Sequence, residues 1–317
     1  MREDKFLSVV IPIYNSQNTI AKLIQEIVES INNIELVKAH EIVLINDESK
    51  DDSLKEAKML QKIYPQIKII DFSKNFGQHN AIIAGLKYTV GDLIICMDDD
   101  LQTPAFEISK LLDELIQNNF DVVYAEYKDK KHSSFRKFGS HFNDMMAKWF
   151  INEPKHIKAT SFFVTRKFVI DEVVKYENPY PYLSGLIFRV TQNIGSVEVE
   201  HQERLIGKSN YTLGKLVKLW LNGFTNFSIK PLRVASFAGL VLAVVTFIIS
   251  IILLIQKLII PDLQLGWTSI MIAIFFLGGV QLVSIGLLGE YVGRIYLSIN
   301  KSPQYVIKDL YLGENDD

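Results

Sequence analysis

The chain has 317 residues, one cysteine and a formal net charge of −2. This length holds one large domain or two modest ones. The charge supplies no basic field, which argues against nucleic acid as a partner, and the lone Cys96 excludes an internal disulfide.

The N-terminal MREDKFLSVV lacks the long apolar core of a signal peptide, because Pro12 and Asn15 interrupt it early. From residue 6 to about 126 strand-like and helix-like segments alternate. Strands are predicted over 7–13, 41–46, 67–72, 93–97 and 122–125, with helices over 19–31, 53–63, 78–88 and 104–118. Such βαβ alternation predicts an α/β, doubly wound, mainly parallel sheet. The stretch 133–201 reads as less regular α+β. Over 212–228, Leu213, Leu216, Val217, Trp220, Leu221 and Phe224 recur at helical spacing, with Lys215 and Lys218 on the other side. That pattern suits an amphipathic helix lying in a membrane interface, or one packed on the domain.

Two spans, 234–256 and 263–289, carry no charged residue, and Pro261 and Asp262 between them suit a tight hairpin. Each exceeds the roughly 20 residues that cross a bilayer as helix. Lys215, Lys218, Lys230 and Arg233 precede the first span, and Arg294, Lys301 and Lys308 follow the second. The connecting loop has only Lys257, nearly cancelled by Asp262. The positive-inside rule then places both ends, and the N-terminal domain, in the cytoplasm. The expected organisation is a catalytic domain over 1–211 and an interfacial helix over 212–231. Two membrane helices follow within 232–290 (about 234–256 and 265–289), then a cytoplasmic tail over 291–317.

Chemistry concentrates at strand ends. Asp98, Asp99 and Asp100 follow the apolar run of LIICMDDDLQTP. Adjacent carboxylates repel one another unless a cation or hydrogen-bond donors offset them. At the C-terminal edge of an α/β sheet, where ligands bind, they offer hard oxygen ligands to Mg²⁺ or Mn²⁺. The same run also suits a solvated turn, with Asp100 or Thr103 capping the next helix and Pro104 in its first turn. Asp47 ends the second strand, where it can accept bonds from a nucleobase or ribose, or cap the helix beginning near Ser53. Pro12 and Tyr14 end the first strand on the same edge, as base-packing residues or as a turn and a core aromatic. Neither GxGxxG nor GxxxxGK[ST] occurs, so a Rossmann dinucleotide site and a P-loop lack support.

In order and spacing, SVVIPIYN, INDESKDDS, KNFGQHNAIIAGL, GDLIICMDDDLQTP, ERLIGKSNY and LLGEYVGRIY resemble family 2 glycosyltransferases acting on polyprenyl phosphates. The likeness extends to bactoprenol-phosphate glycosyltransferases and dolichol-phosphate mannose synthases, and covers nearly the whole chain. It implies a GT-A fold and a membrane-anchored, inverting transferase of the bacterial inner membrane. It implies a nucleotide-sugar donor, with UDP preferred, and a polyprenyl phosphate acceptor. Pro12, Tyr14 and Asp47 would line the nucleotide pocket. Asp98 and Asp100 match the outer acids of a DxD motif, and Gln102 joins them as a metal ligand; Asp99 fills a middle position that is often small. Arg204, Lys208, Ser209 and Tyr211 match a loop closing over the diphosphate, with Arg204 catalytic beside Asp98 and Asp100. Arg136 and Lys137 match a basic site for the acceptor phosphate. Homo-oligomerisation is left open.

Two departures stand out. Ser16 takes a place where many relatives have an acid, and Thr160, in ATSFFVTRKF, falls where many have a proposed catalytic base. Phe162 falls at the arginine of that pattern. A phosphate monoester has its second pKa at about 6, so it is largely dianionic at neutral pH and has little proton to give up. A general base then adds little, and Thr160 fits a phosphate acceptor at that substrate position better than an alcohol. A polysaccharide synthase is a rival reading, but the QxxRW motif is absent and two spans leave little room for a channel. A non-catalytic scaffold or lipid-carrier binder with a degenerate domain is the other.

Overall fold

The computed structural model describes residues 4–127, 157–179, 181–202, 230–259, 266–300 and 302–313. The chain divides into two compact units, Met1–Leu216 with Ser302–Asp317, and Val217–Lys301.

In the first unit β1 (Lys5–Ile13), β2 (Val37–Asn46), β3 (Ile67–Phe72) and β4 (Leu93–Cys96) alternate with α1 (Ile20–Asn32), α2 (Ser53–Ile63) and α3 (Gln78–Lys87). A 3₁₀ turn, Ala105–Glu107, leads into α4 (Ile108–Gln117) and β5 (Val122–Tyr127). Then come β6 (Phe163–Arg166), α5 (Lys167–Val173), α6 (Leu183–Val190) and β7 (Ile194–Val199). The central strands are near-continuous apolar runs because helices deny both faces to water. Val9, Val10 and Ile11 of β1 are all buried. In α1 the buried Ile20, Leu23, Ile24, Ile27 and Ile31 recur every three or four residues, so one stripe faces the core. Each such side chain contributes about 1.5–3 kcal/mol by leaving water.

The sheet has 8 strands in the order β7-β5-β6-β4-β1-β2-β3-β8, where β8 is Ile307–Tyr311. β1 pairs in parallel with β2 and β4, β2 with β3, and β5 with β7. β6 runs antiparallel between β4 and β5, and β8 antiparallel to β3. The mainly parallel expectation therefore holds in the centre, while the sheet as a whole is mixed. Because β6 reverses twice over, β5 and β7 point the same way as β1–β4. The ends of β1, β2, β3, β4, β5 and β7 and the starts of β6 and β8 thus share one edge.

Pro12 explains where that edge opens. Pairing between β1 and β4 ends at Val10 and Cys96, with a last bond from the Met97 N–H to the Val10 carbonyl (3.2 Å). Pro12, two residues on, turns its nitrogen to that same side, where no ladder bond remains to lose. β1 and β4 part there, at the point where strand order changes direction, which is where α/β sheets form a ligand crevice.

β8 was not legible in the sequence, which places 291–317 in a tail. Its IKDLY has little apolar signal because an edge strand is only half covered. At Gly85 of α3, an added Cβ would lie 2.5 Å from Ile45 Cδ1 and 2.7 Å from Val10 Cγ1. Only glycine lets α3 lie this close on β1 and β2. The second unit holds α7 (Lys230–Ile259) and α8 (Trp267–Ile299). Among the described residues one segment, Phe276–Leu297, is long and apolar enough to cross a membrane, and Ala235–Ile249 forms a shorter apolar helix.

His79, in the first turn of α3, meets the Tyr182 ring edge-on at 5.6 Å. Burial lowers its imidazole from 6.5 to about 4. The unfolded chain therefore takes up this proton first as pH falls, so stability is full above 6.5 and is lost progressively toward 4. His79→Phe, which keeps a ring on Tyr182, should show a smaller loss of melting temperature than the wild type between pH 7 and 5. Parallel pH profiles would contradict the assignment.

Candidate active site

Three loops at the open edge contain non-glycine residues in the left-handed region: Asn15 (φ 57°), Glu48 (57°) and Leu101 (58°). They follow β1, β2 and β4 respectively. Such conformations cost about 1–3 kcal/mol each and persist where surrounding bonds over-determine them. The bonds are on hand. Asn15 N–H donates to Ser49 Oγ (3.0 Å) and the Asn15 side-chain carbonyl accepts from Lys50 N–H (2.8 Å), tying the first loop to the second.

The three aspartates relieve their mutual repulsion by facing different partners. Asp98 Oδ1 accepts from Gln78 Nε2 (2.6 Å), and its Oδ2 accepts from Ser161 Oγ. Asp100 Oδ1 accepts from its own Gln102 N–H (3.1 Å). Asp99 turns to the other strand: its Oδ2 accepts from Tyr14 N–H (3.0 Å) and Ser16 Oγ. Burial raises the Asp99 carboxyl, the two donors lower it, and Asp100 raises it again. Asp99 therefore bridges the switch point where Pro12 lets β1 and β4 part, and its partner Ser16 is one of the two departures from the family pattern.

Asp47 is buried, and both its oxygens are engaged, Oδ1 by Phe76 N–H (2.6 Å) and Oδ2 by Gly77 N–H (2.9 Å). Burial raises its carboxyl, and these donors pull it back. It caps neither α2 nor an open pocket; it fixes the loop that starts α3, where Gly77 needs φ 89°. Pro12 is likewise buried within β1, whereas Tyr14 is 41% exposed and free to pack against a ligand. The Thr160 hydroxyl is directed at the carbonyls of Ala125 (2.9 Å) and Phe162 (3.0 Å), so it closes the β5–β6 junction instead of facing the site. Its neighbour Ser161 is the hydroxyl that reaches Asp98. Phe162 is buried core.

The end of β7 is fixed to the carboxylate loop. Gln202 N–H donates to the Gln102 carbonyl (2.8 Å), and Glu200 N–H donates to the buried Glu107 Oε1 (3.1 Å). His201 lies against Tyr127, with ring centroids 4.4 Å apart. The Tyr127 hydroxyl shares a bond with Thr103 Oγ1 (3.2 Å). Burial raises the Tyr127 phenol, Thr103 opposes this, and the charges of Asp98 and Asp100 add to it. Gln78, Tyr127, Ser161, His201 and Gln202 escaped the sequence reading. Gln78 sits inside a motif already singled out and Ser161 beside Thr160; the others depend on strand order, which no local pattern carries. Arg136, Lys137, Arg204, Lys208, Ser209, Tyr211 and residues 212–229 of the interfacial helix expected over 212–231 lie outside the described residues.

Among the described residues no three His, Cys, Asp or Glu side chains form a metal cage. Asp98, Asp100 and Gln102, the metal ligands that the resemblance implies, lie on the one loop after β4; oxygen donors are the kind that Mg²⁺ and Mn²⁺ take.

The fold of the first unit is shared with mannosyl-3-phosphoglycerate synthase from Rubrobacter xylanophilus, at a TM-score of 0.54 and 16% identity over 69% of this chain and 71% of that one. This is a GT-A-like α/β fold with its carboxylate loop at the switch point. The chain belongs to glycosyl transferase family 2, whose model matches residues 8–174, and the GtrB C-terminal hairpin matches residues 230–295. It is 33% identical to the bactoprenol glucosyl transferase of Shigella phage SfX, over 95% of this chain and 98% of the relative. It is 31% identical to the undecaprenyl-phosphate 4-deoxy-4-formamido-L-arabinose transferase of Proteus mirabilis (strain HI4320), over 95% and 93%.

If Asp99 and Ser16 act as one bridge, removing either removes the same bond. Ser16→Ala and Asp99→Ala should be non-additive in glycosyl transfer, with a coupling of about 0.5–3 kcal/mol. Additive losses in the double variant would contradict the bridge.

Proposed function

We propose that this protein is a membrane-anchored, inverting glycosyltransferase that moves a sugar from a nucleotide donor to polyprenyl phosphate. The observation that carries the reading is the sheet edge at the strand-order switch point, where Asp98 and Asp100 follow β4 and exposed Tyr14 follows β1. Relatives aligned over nearly the whole chain are named for bactoprenol and undecaprenyl phosphate, which supports the lipid acceptor. Their names carry different sugars, so the sugar of this chain is set by pocket shape and needs a donor screen; UDP is the preferred nucleotide.

The acceptor phosphate is the nucleophile. One of its oxygens forms a bond to the anomeric carbon as the bond from that carbon to the nucleotide diphosphate breaks, and the diphosphate leaves with the electron pair. The dianionic acceptor carries little proton to transfer, consistent with a Thr160 hydroxyl bonded to main chain. Asp98, Asp100 and Gln102 would hold a divalent cation, which supplies Lewis-acid neutralisation of the leaving diphosphate. Tyr14 stacks on the base, and Asp47 orders the 75–77 loop instead of meeting the nucleotide directly. Gln202, anchored to Gln102, fixes the root of the segment bearing Arg204, Lys208, Ser209 and Tyr211. Arg204 and Lys208 screen the diphosphate, to which Ser209 and Tyr211 can donate hydrogen bonds, and Arg136 and Lys137 bind the acceptor phosphate. The apolar α7 and α8 hold the domain at the cytoplasmic face of the bacterial inner membrane as a two-pass hairpin.

The test is transfer by the purified full chain with undecaprenyl phosphate, Mg²⁺ and separately labelled UDP-glucose, UDP-N-acetylglucosamine and GDP-mannose. Label should enter the lipid phase from at least one donor, and undecaprenol should not replace the phosphate. Chelation should abolish transfer, and Asp100→Asn should lower it by about 100-fold or more. No product from any donor would contradict the transferase reading, and undiminished transfer by Asp100→Asn would contradict the metal assignment alone.

A further inference from the structure

The segment that follows α8 in the chain reaches the donor edge of the sheet. Tyr305 stacks on Phe72, with centroids 5.3 Å apart and planes at 14°. Phe72, at the end of β3, meets Phe76 edge-on at 5.5 Å. Phe76 in turn gives its N–H to Asp47. Two bonds hold Tyr305 in register: Ser73 N–H donates to the Val306 carbonyl (3.0 Å), and Gln304 Nε2 donates to the Asn178 carbonyl (3.3 Å). The loop over 73–77 is thus gripped on one side by the Asp47 carboxylate and on the other by an aromatic file whose outer member comes from the C-terminus. Gln78, the next residue, donates to Asp98.

The 73–77 loop carries Gln78, the partner of the proposed metal ligand Asp98, to the donor edge, and a loop that must be ordered during binding draws that cost from the affinity. We propose that Tyr305 is a positioning residue for the nucleotide donor, acting through Phe72 and Phe76 to pre-order the 73–77 loop. It touches no substrate itself. The segment over 302–311 is then a working part of the donor site, not a tail, and this role rests on the donor-site reading of the crevice. Burial pushes the Tyr305 phenol up to about 12, with Tyr88 and Glu177 adding to it, so the ring stays neutral across the working pH range. Its stacking, rather than its hydroxyl, is the operative property.

The test compares full-length wild type, Tyr305→Leu and Tyr305→Phe. It reads binding of UDP, GDP and CDP with Mg²⁺, KM for donor and acceptor separately, and melting temperature. Loss of one aromatic pair should weaken binding of the preferred nucleoside diphosphate and raise donor KM by about 2- to 10-fold in Tyr305→Leu. The acceptor KM should stay unchanged, and Tyr305→Phe should restore the wild-type donor KM. An unchanged donor KM in Tyr305→Leu overturns the inference alone. So does a rise in both KM values together with a drop in melting temperature, which marks a merely structural strand. Failure of the wild type to bind any of the three nucleotides overturns the donor-site reading, and this role with it.

Discussion

The bonds from Tyr14 N–H and Ser16 Oγ to the Asp99 carboxylate span the gap where β1 and β4 part company. Everything else at the site is arranged about that bridge. Without it, the loop after β4 would place three carboxylates side by side with no fixed division of labour, and like charges repel. With it, Asp99 is spent on the scaffold, Asp98 faces α3 and the start of β6, and Asp100 faces its own turn. A hydrogen bond to a charged group contributes about 1.5–3 kcal/mol, comparable to the strain in one of the left-handed loop residues beside it.

The same economy recurs around the edge. Asp47 orders the start of α3, Glu107 and the Gln102 carbonyl order the end of β7, and Tyr305 supports the end of β3. Two loops that are distant in sequence, the one between β3 and α3 and the one after β7, are each held by groups from other elements. Such support lets exposed groups such as Tyr14 meet a ligand without first being ordered, which is how a rigid scaffold turns loop residues into a site. On the proposed reading, Asp98 and Asp100 would meet the diphosphate through a divalent cation, and Tyr14 would meet the base.

Much of this was legible in the residues. Period and length placed α2 and β3 at their observed bounds, since Ser53–Ile63 and Ile67–Phe72 have clean helical and apolar patterns. The carboxylate loop was legible as a place and not as a role, because three acids after a buried strand suit a metal site or a solvated turn alike. β6 and β8 escaped because direction and partner are decided by tertiary pairing, and neither FVTR nor IKDLY signals them. Asp47 and Thr160 show a related ambiguity: a polar residue at a strand end is equally suited to ligand or backbone, and the positions of Phe76, Gly77 and Ala125 give these two their backbone partners. The contact between Ser16 and Asp99 depends on strand order, and no local pattern carries it.

The central claim is that the gap between β1 and β4 holds the donor diphosphate. A structure of the full chain with Mn²⁺ and the nucleoside diphosphate it binds, recorded at the manganese absorption edge, tests this most directly. The account predicts an anomalous peak against Asp98 and Asp100, diphosphate density on the same edge, and the base against Tyr14. A peak elsewhere on the chain, or a base seated away from Tyr14 with the crevice still bridged and unfilled, would contradict it.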